Sequence, residues 1–395
     1  MTLPLSDVTV LDFGQIFQGS YATVLMAKGG ANVIKIEPPG GEPLRKRTPP
    51  GAKTTMSFAM LNANKRAITL NLKTARGREL LFDMVKRADV VLENFGPGAM
   101  DRLGVGWEVL HALNPRLIYA SGTGYGLSGP SRDNLAMDLT VQAASGIMSV
   151  TGFPDGPPVR AGVTVADFMG GTHLYAGILT ALYERDRSGQ GRLVEIAMQE
   201  AVYYTLAGSL EQYNRTGRIP ARSGNGGNGA ISPYGVYPAK DGFVAIHTGT
   251  EGHWHNILDA AGRADLKDEP RFRTMHDRSA CADEINAIVA AWTGSLTKNE
   301  AVAQAQRFRI PLAPVRDVSE VMHDEHMHER GTLEWVDHPD LGHVVMPTTP
   351  LRLHGLDVAA TAPSPRVGQH NDEVYGRWLG LSAAELDSLR NDGVI

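Results

Sequence analysis

The sequence is poor in cysteine and contains no long apolar run. Its single cysteine, Cys281, cannot form an intrachain disulfide, and no window reaches the roughly 18 uninterrupted apolar residues of a membrane-spanning helix. The first ten residues lack the basic start and apolar stretch of a secretory signal. These absences predict a soluble, cytoplasmic protein with no membrane contact.

Charge and composition exclude two further classes of protein. The net charge of −5 at pH 7 argues against a nucleic-acid-binding surface. Hydrophobic residues make up 42% of the 395 positions and charged residues 21%, without a low-complexity tract, so the whole chain should be globular. This length is enough for two or three domains, each with its own core.

Two common catalytic signatures are missing. Asp12 and Glu37 are spaced like the strand ends of a dinucleotide-binding unit, but residues 14–19 carry bulky side chains where the G-x-G-x-x-G turn needs glycine. No serine lies in a G-x-S-x-G turn, and Cys281 lies in a charged segment without a sign of activation. A nicotinamide enzyme and a serine or thiol hydrolase are therefore not favoured.

A histidine cluster near the C-terminal third has the spacing of a metal site. His323, His326 and His328 alternate with acidic residues. An exposed, charged helix face has the same composition, and no second ligand cluster is placed to help. We predict no metal site.

Strand-like and helix-like segments alternate through the first half of the chain. Strands are expected at residues 8–13, 32–36, 67–70, 90–92, 117–120 and 193–197, with helices between them and one helix over 198–213. This alternation predicts an α/β protein with a parallel sheet, whose ligands bind at the loops that follow the strands. The spacing of Ser382 and Glu385 predicts a capping box at the start of a final helix.

The composition changes after residue 215, which suggests a second domain. We predict a large Rossmann-like domain over residues 1–210, a smaller α+β domain over 225–325, and a return to the large domain over 330–395. Between the two domains lies a glycine-rich segment that includes Gly226, Gly227 and Gly229. It could be a flexible linker or a lid over a site, and the residues alone leave both open.

Asp167 stands at the start of a long amphipathic helix. Apolar residues recur behind it at three- and four-residue intervals, from Phe168 to Leu182, and residues 188–191 end the segment. From a helix start its carboxylate could act as a nucleophile, and the helix amides would keep it ionised at neutral pH. It could also simply cap free backbone amides.

A series of motifs resembles the class III coenzyme A transferase family of the CaiB/BaiF type, which includes formyl-CoA transferases and α-methylacyl-CoA racemases. The likeness covers nearly the whole chain. It is carried by VLDF at residues 10–13, GANVIKIEPPG at 30–40, NKR at 64–66, VLENFGPGA at 91–99, TGF at 151–153 and the segment around Asp167.

The resemblance implies an activity and a mechanism. Coenzyme A would move from an acyl-CoA to a free carboxylic acid through an acyl anhydride and a CoA thioester of Asp167. Acyl-CoA and coenzyme A are then substrates, and no tightly bound cofactor is expected. The resemblance also implies an interlocked homodimer.

The resemblance further assigns residues to the site. Coenzyme A contacts fall on Ile16, Leu70, Lys73, Asn94, Phe95, Ala99, Arg102 and Leu103. The acyl pocket and lid fall on Phe17, Gln18, Met137, Asp138, Gly226, Gly227 and Gly229. For Leu70 and Leu103 taken alone, ordinary core packing is the favoured interpretation.

Departures from the family pattern affect the choice of substrate. Phe17 replaces a glutamine of the formyl-CoA transferases, Pro38 replaces an arginine, and Met137 replaces a tyrosine. These changes predict a less polar acyl pocket that suits a larger or more hydrophobic acid.

Two other functions stay open. The first is racemisation, but racemases have a histidine at the position of Met137, and methionine cannot carry a proton. The neighbouring Asp138 is an acidic group that either takes part in the chemistry or caps a helix start. A silent acyl-CoA-binding paralogue is the other alternative.

Overall fold

The computed structural model describes residues 3–227, 232–356 and 359–395. Its strands are β1 (Thr9–Asp12), β2 (Asn32–Glu37), β3 (Arg66–Thr69), β4 (Val90–Glu93), β5 (Ile118–Thr123), β6 (Leu193–Ala197), β7 (Tyr234–Ala239), β8 (Gly242–His247), β9 (Leu312–Pro314), β10 (Leu333–His338) and β11 (Gly342–Pro347).

Its α-helices are α1 (Gln18–Lys28), α2 (Met56–Leu61), α3 (Ala75–Val85), α4 (Ala99–Arg102), α5 (Trp107–Leu113), α6 (Asp138–Ala144), α7 (Ile147–Val150), α8 (Val165–Ser188), α9 (Met198–Tyr203), α10 (Ala207–Thr216), α11 (Glu251–Ala260), α12 (Met275–Ala280), α13 (Ala282–Gly294), α14 (Lys298–Phe308), α15 (Val318–Met322), α16 (Glu325–Glu329) and α17 (Ala383–Asn391). Over the described residues, none of the helices is long and apolar enough to cross a membrane.

The six predicted strands form one sheet in the order β3-β2-β1-β4-β5-β6. Every pair in it is parallel, as in the pairing of Val10 with Val33 on one side and Val90 on the other. The α/β prediction is confirmed. The strand order reverses between β1 and β4, and ligands of such sheets bind at this switch point.

Both faces of the sheet are covered, which explains the near-continuous apolar runs of its strands. Successive residues point to opposite faces, so Leu11 packs in one apolar layer and Val10 in the other. Helix α8 covers the second face through Leu174 and Ile178, which are fully buried. The predicted amphipathic helix behind Asp167 is thus confirmed.

The chain forms two compact units. The first contains Met1–Ser145, Gly162–Thr205 and Asp324–Ile395, and the second contains Gly146–Ala161 and Leu206–His323. In the first, the capping box predicted for α17 is confirmed, since Ser382 accepts the Glu385 backbone N–H and Glu385 accepts that of Ser382. The exact domain limits given above stay predictions.

The second unit is built on a three-stranded antiparallel sheet, β7-β8-β9. Its core surrounds Trp254, Ile257 and Trp292. One helix prediction at its margin is wrong: residues 198–213 do not form one helix. Helix α9 ends at Tyr203, a 3-10 turn spans Tyr204–Leu206, and α10 begins at Ala207, so the boundary between the two units after Thr205 falls within this turn.

Candidate active site

The loops after β1 and β4 meet at the switch point of the sheet. The Gln15 backbone N–H donates to Asn94 Oδ1 at 2.7 Å, and Asn94 Nδ2 donates to the Gln15 carbonyl at 3.1 Å. A single side-chain amide therefore ties the two loops together. Asn94, a predicted coenzyme A contact, has this structural task as well.

Ile16 has a strained backbone at this loop. Its φ is 58°, in the left-handed region that β-branched residues strongly disfavour. The Glu42 carboxylate holds the conformation by accepting the Ile16 N–H at 3.1 Å. Strain of this kind persists only where neighbours enforce it, and it concentrates at functional sites.

The start of helix α8 is capped from outside the helix. Thr164, the residue before it, gives no side-chain hydrogen bond. Asp138 Oδ1 instead accepts the backbone N–H of Ala166 at 2.8 Å and that of Asp167 at 3.2 Å. Of the two interpretations of Asp138, the cap is the one observed, but it serves α8 rather than its own helix α6.

The Asp167 carboxylate is therefore not needed to cap α8, because Asp138 accepts the amides there. Its partly buried carboxylate lines a cavity of about 500 Å³ on the first unit. The backbone N–H of Gln18, at the start of α1, hydrogen-bonds to this carboxylate and lowers its pKa. The interpretation of Asp167 as a simple cap of α8 is wrong, because Asp138 already accepts the amides concerned.

The ionisation of Asp167 differs from the expectation. The pKa of Asp167 is raised to about 7, first by burial and then by the charge of Asp138, against the smaller lowering by Arg47 and by the Gln18 backbone N–H. A helix start favours a carboxylate by only about 0.3–1 kcal/mol, which burial and a second carboxylate outweigh. At neutral pH the carboxylate is therefore only about half ionised, which differs from the prediction that the helix amides keep it ionised.

Several predicted site residues line this same cavity, and others do not. Those that line it with Asp167 are Ile16, Gln18, Asn94, Phe95, Arg102 and Met137. Phe17 instead packs in an apolar cluster with Leu44, Phe58 and Phe168. Gly122 also lines the cavity and lies just after the predicted strand 117–120, where ligands are expected, whereas sequence reasoning missed Arg132, Asn134 and Met198. No motif pointed to them.

A second cavity adjoins the first. It measures about 200 Å³, shares Gln15 and Phe95 with the first, and is lined by Leu70, Lys73 and Leu103. Leu70 is also buried in the core. Ala99 lines a third cavity of about 240 Å³ beside Glu93 and Tyr119. The predicted coenzyme A contacts are thus distributed over three neighbouring cavities.

The acidic residues at the ends of β1 and β2 are held by ion pairs. Asp12 Oδ2 lies 2.9 Å from Lys65 Nζ, and both side chains are fully buried. Glu37 binds Arg45 through both carboxylate oxygens, each at 2.7 Å. Both acids hold the loops of the site in position.

The glycine-rich segment belongs to the second unit. Gly226 and Gly227 line a cavity of about 930 Å³ together with Tyr234, His247 and Leu312. The Gly226 N–H donates to the Ser223 carbonyl at 3.0 Å, and Ser223 Oγ donates back to the Gly226 carbonyl at 2.9 Å. Gly229 lies outside the described residues.

The histidine cluster forms no ligand set in the described part of the chain. No three histidine, cysteine or acidic side chains within it come together as metal ligands would. His323 and His326 lie on either side of the start of α16.

Comparisons with known proteins give one consistent result. A sequence profile of CoA-transferase family III matches residues 5–371. The chain is 36% identical over 395 residues to the succinyl-CoA–D-citramalate CoA-transferase of Chloroflexus aurantiacus, covering 99% of this chain and 98% of the relative. It is 37% identical over 413 residues to the formyl-CoA:oxalate CoA-transferase of Streptomyces avermitilis, covering 100% of both.

Solved structures agree with these relatives. The crystal structure of a CAIB/BAIF family protein from Brucella suis superposes with a TM-score of 0.85 at 31% identity, over 98% of this chain and 100% of that one.

Proposed function

The chain belongs to CoA-transferase family III and is a transferase, and from this premise we propose that it moves coenzyme A from an acyl-CoA to a free carboxylic acid with Asp167 as nucleophile. The observation that supports this assignment most is that the carboxylates of Asp138 and Asp167 have different roles. Asp138 accepts the amides at the start of α8, while Asp167 faces the cavity.

The first half-reaction removes the donor acid. A carboxylate oxygen of Asp167 attacks the thioester carbonyl carbon, the carbon–sulfur bond breaks, and the CoA thiolate leaves with the electron pair. The product is an acyl-aspartyl anhydride. The thiolate then attacks the aspartyl carbonyl, which releases the first acid as its carboxylate and leaves a CoA thioester on Asp167.

The second half-reaction runs the same steps in reverse with the acceptor. Its carboxylate attacks the aspartyl thioester, which forms a second anhydride and expels the thiolate. Attack of that thiolate on the acceptor's carbonyl gives the new acyl-CoA and restores the Asp167 carboxylate. The acyl groups stay activated throughout, so no other energy source is needed.

The neighbouring cavities suit a long, amphipathic cofactor-sized substrate. Lys73 and Arg102 can offset the phosphates of coenzyme A, and Leu70, Phe95 and Leu103 offer apolar surface for the adenine or the pantetheine arm. We propose these residues, with Ile16, Asn94 and Ala99, as the coenzyme A groove. Gly226, Gly227 and Gly229 are proposed as the lid that keeps water from the anhydride.

The assembly and its location are proposals of the same kind. Interlocked homodimers would explain the exposed aromatic side chains of Tyr203, Tyr204 and Tyr213. We propose such a dimer, working in the cytoplasm. Mass measurement in solution checks the dimer.

A panel assay tests the function and names the substrates. Relatives act on citramalate, malate and oxalate according to their names, whereas Met137 at the cavity favours a less polar acid. The protein is mixed with several acyl-CoA donors and with both dicarboxylic and branched apolar acids, and new thioesters are identified by mass. Absence of every exchange, with acyl-CoA still bound, would instead favour a silent binding protein.

Racemisation is disfavoured by the cavity lining. None of the described residues that line it is a histidine, and Met137 cannot accept a proton. A 2-methylacyl-CoA incubated in deuterated water without an acceptor acid should therefore gain no label at the α carbon. Label at that carbon would favour the racemase.

The rate should depend on pH through Asp167. Only the ionised carboxylate attacks, so kcat/KM should rise as the pH passes through about 7, the pKa of Asp167, and at pH 6 about one-tenth of the plateau should remain. Asp138→Asn keeps an acceptor oxygen for the α8 amides but removes the negative charge that raises this pKa. We expect the acid limb of the variant to move to lower pH.

The control for this shift lies on the same helix. Asp186→Asn removes an exposed charge at the far end of α8 and should leave the acid limb in place. A limb that stays fixed or moves to higher pH in Asp138→Asn would contradict the electrostatic role of Asp138.

A further inference from the structure

One buried polar group of the first unit has no partner. Gln18 is 2% exposed, and its side-chain Nε2 makes no hydrogen bond to any described residue. A buried amide donor without an acceptor costs free energy, and such groups are rare in native proteins. This donor therefore needs an explanation, and its position supplies one.

The Gln18 side chain lies in a slot made by two glycines. A Cβ atom on Gly170 would come within 2.9 Å of Gln18 Nε2, and one on Gly122 within 2.9 Å of its Cδ. Gly170 follows Asp167 by one turn of α8, on the same face of the helix. The two glycines thus make room for the Gln18 amide, and Gln18 and Asp167 line the same cavity.

Resting on the proposed function, we propose that the Gln18 side-chain amide is a catalytic hydrogen-bond donor to the acyl carbonyl oxygen that Asp167 activates by attack. As the carboxylate adds to the carbonyl carbon, the π electrons of the carbonyl move onto its oxygen. The negatively charged oxygen then accepts a hydrogen bond from Nε2. When the adduct collapses, the electron pair on this oxygen re-forms the carbonyl π bond, and the CoA thiolate leaves with the electrons of the broken carbon–sulfur bond. No proton is transferred at Gln18.

The chemistry of an amide suits this role. A neutral donor needs no change of protonation, and in a site shielded from water its hydrogen bond is stronger than in solution. The terminal torsion of glutamine is broad, so an N–H can turn toward the cavity without leaving a rotamer well. The backbone N–H of Gln18 hydrogen-bonds to the Asp167 carboxylate. Gln18 would therefore bind the nucleophile through its backbone and the acyl oxygen through its side chain.

The test replaces Gln18 with methionine, which has nearly the same shape and no donor. In single-turnover reactions the rate at which Asp167 is acylated, followed by hydroxylamine trapping, should fall about 10²- to 10³-fold, the usual loss for one oxyanion donor. KM for the acyl-CoA should change less than threefold, since the interaction forms in the transition state. Gln306→Met, on the exposed face of α14, is the matched control and should behave as wild type.

A second variant and a direct measurement cover the case of misfolding. Gln18→Glu keeps the length of the side chain but is no donor once ionised, so it should be slowed at least as much at pH 8. In the chain with Asp167→Asn and native Gln18, the infrared carbonyl band of a bound acyl-CoA should shift to lower wavenumber than that of the free thioester.

The outcomes separate the inference from the function on which it rests. Acylation within threefold of wild type in Gln18→Met, or an unshifted carbonyl band, would overturn the role of Gln18 while leaving Asp167 as nucleophile. Retention of turnover by Asp167→Asn would overturn the proposed function itself.

Discussion

Asp167→Asn should lower kcat for CoA transfer by at least about 10⁴-fold, which is the scale of loss when a covalent nucleophile is removed. An amide cannot form the anhydride, and the aspartyl thioester that reloads coenzyme A is lost with it. The cap of α8 stays in place, because Asp138 and not Asp167 accepts its free amides. The loss should therefore be chemical and not structural.

The stability of this variant should change in the opposite direction. In the folded chain the pKa of Asp167 is about 7, above its ordinary value of 3.8, so the fold disfavours the ionised form. The resulting destabilisation of the folded state is absent below pH 4, grows as the pH rises from 4 to 7, and is complete above pH 7. Asparagine removes this destabilisation, so the thermal midpoint of the variant at pH 8 should equal or exceed that of wild type, and at pH 4 the two should coincide.

Two measurements decide between chemistry and folding for this variant. Thioester exchange is followed by mass, and thermal unfolding is followed by circular dichroism at both pH values. Asp283→Asn is the matched control, since Asp283 also stands in the first turn of a helix, α13, but on an exposed face of the second unit. Turnover within tenfold of wild type in Asp167→Asn would contradict the nucleophile.

Much of the sheet could be predicted because its central strands are buried on both faces. Residues 90–92 are all apolar and residues 8–13 are apolar at four of six positions, and such runs mark strands of a parallel sheet independently of their neighbours. The order of the strands could not be predicted in the same way. It depends on pairings such as Val10 with Val90, between residues far apart in the chain.

The candidate nucleophile could be predicted, but its surroundings could not. Asp167 could be identified because it stands at the start of a segment whose apolar residues recur with helical spacing, and that pattern is local in the sequence. The N-terminus of α8 is capped by Asp138, which lies 28 residues before Ala166 in the chain. Nothing in the local sequence shows which helix Asp138 caps. The pKa expectation was wrong for the same reason: burial and a second carboxylate are properties of the folded site.

Glycine and phenylalanine positions show the same limit. Gly122 and Gly170 make room for the Gln18 amide, yet in the sequence each is one glycine among many. Phe17 and Gln18 are adjacent, and a pattern cannot tell that the first packs against Leu44 while the second reaches the cavity. Side-chain direction after a strained residue such as Ile16 follows from tertiary contacts.

Lys65→Met should lower the free energy of unfolding of the first unit by about 3–5 kcal/mol, the usual cost of breaking a buried ion pair. Lys65 Nζ donates to Asp12 Oδ2 at 2.9 Å and to Thr23 Oγ1 at 2.8 Å. It also donates to Asn62 Oδ1 at 3.0 Å. Methionine fills the space of the lysine stem but leaves the fully buried Asp12 carboxylate without its counter-charge.

The double variant separates the lost charge from the lost packing. Asp12→Asn still accepts the Gly14 N–H, which donates to Asp12 Oδ1 at 2.8 Å, and it has no charge to compensate. Combined with Lys65→Met it should recover most of the stability, because the pair is removed as a unit. Lys86→Met is the surface control: its ion pair with Asp83 is exposed, and its removal should cost no more than about 1 kcal/mol.

The Asp12–Lys65 pair connects this stability to the site. Asp12 ends β1 and holds the Gly14 N–H, so it fixes the first residues of the loop that carries Ile16 to the cavity. Urea unfolding of the single and double variants, with transferase assays on each, should therefore show activity lost in Lys65→Met and largely regained in the double variant. A double variant as unstable as the single one would show that the lysine acts through packing and that charge compensation at β1 contributes little.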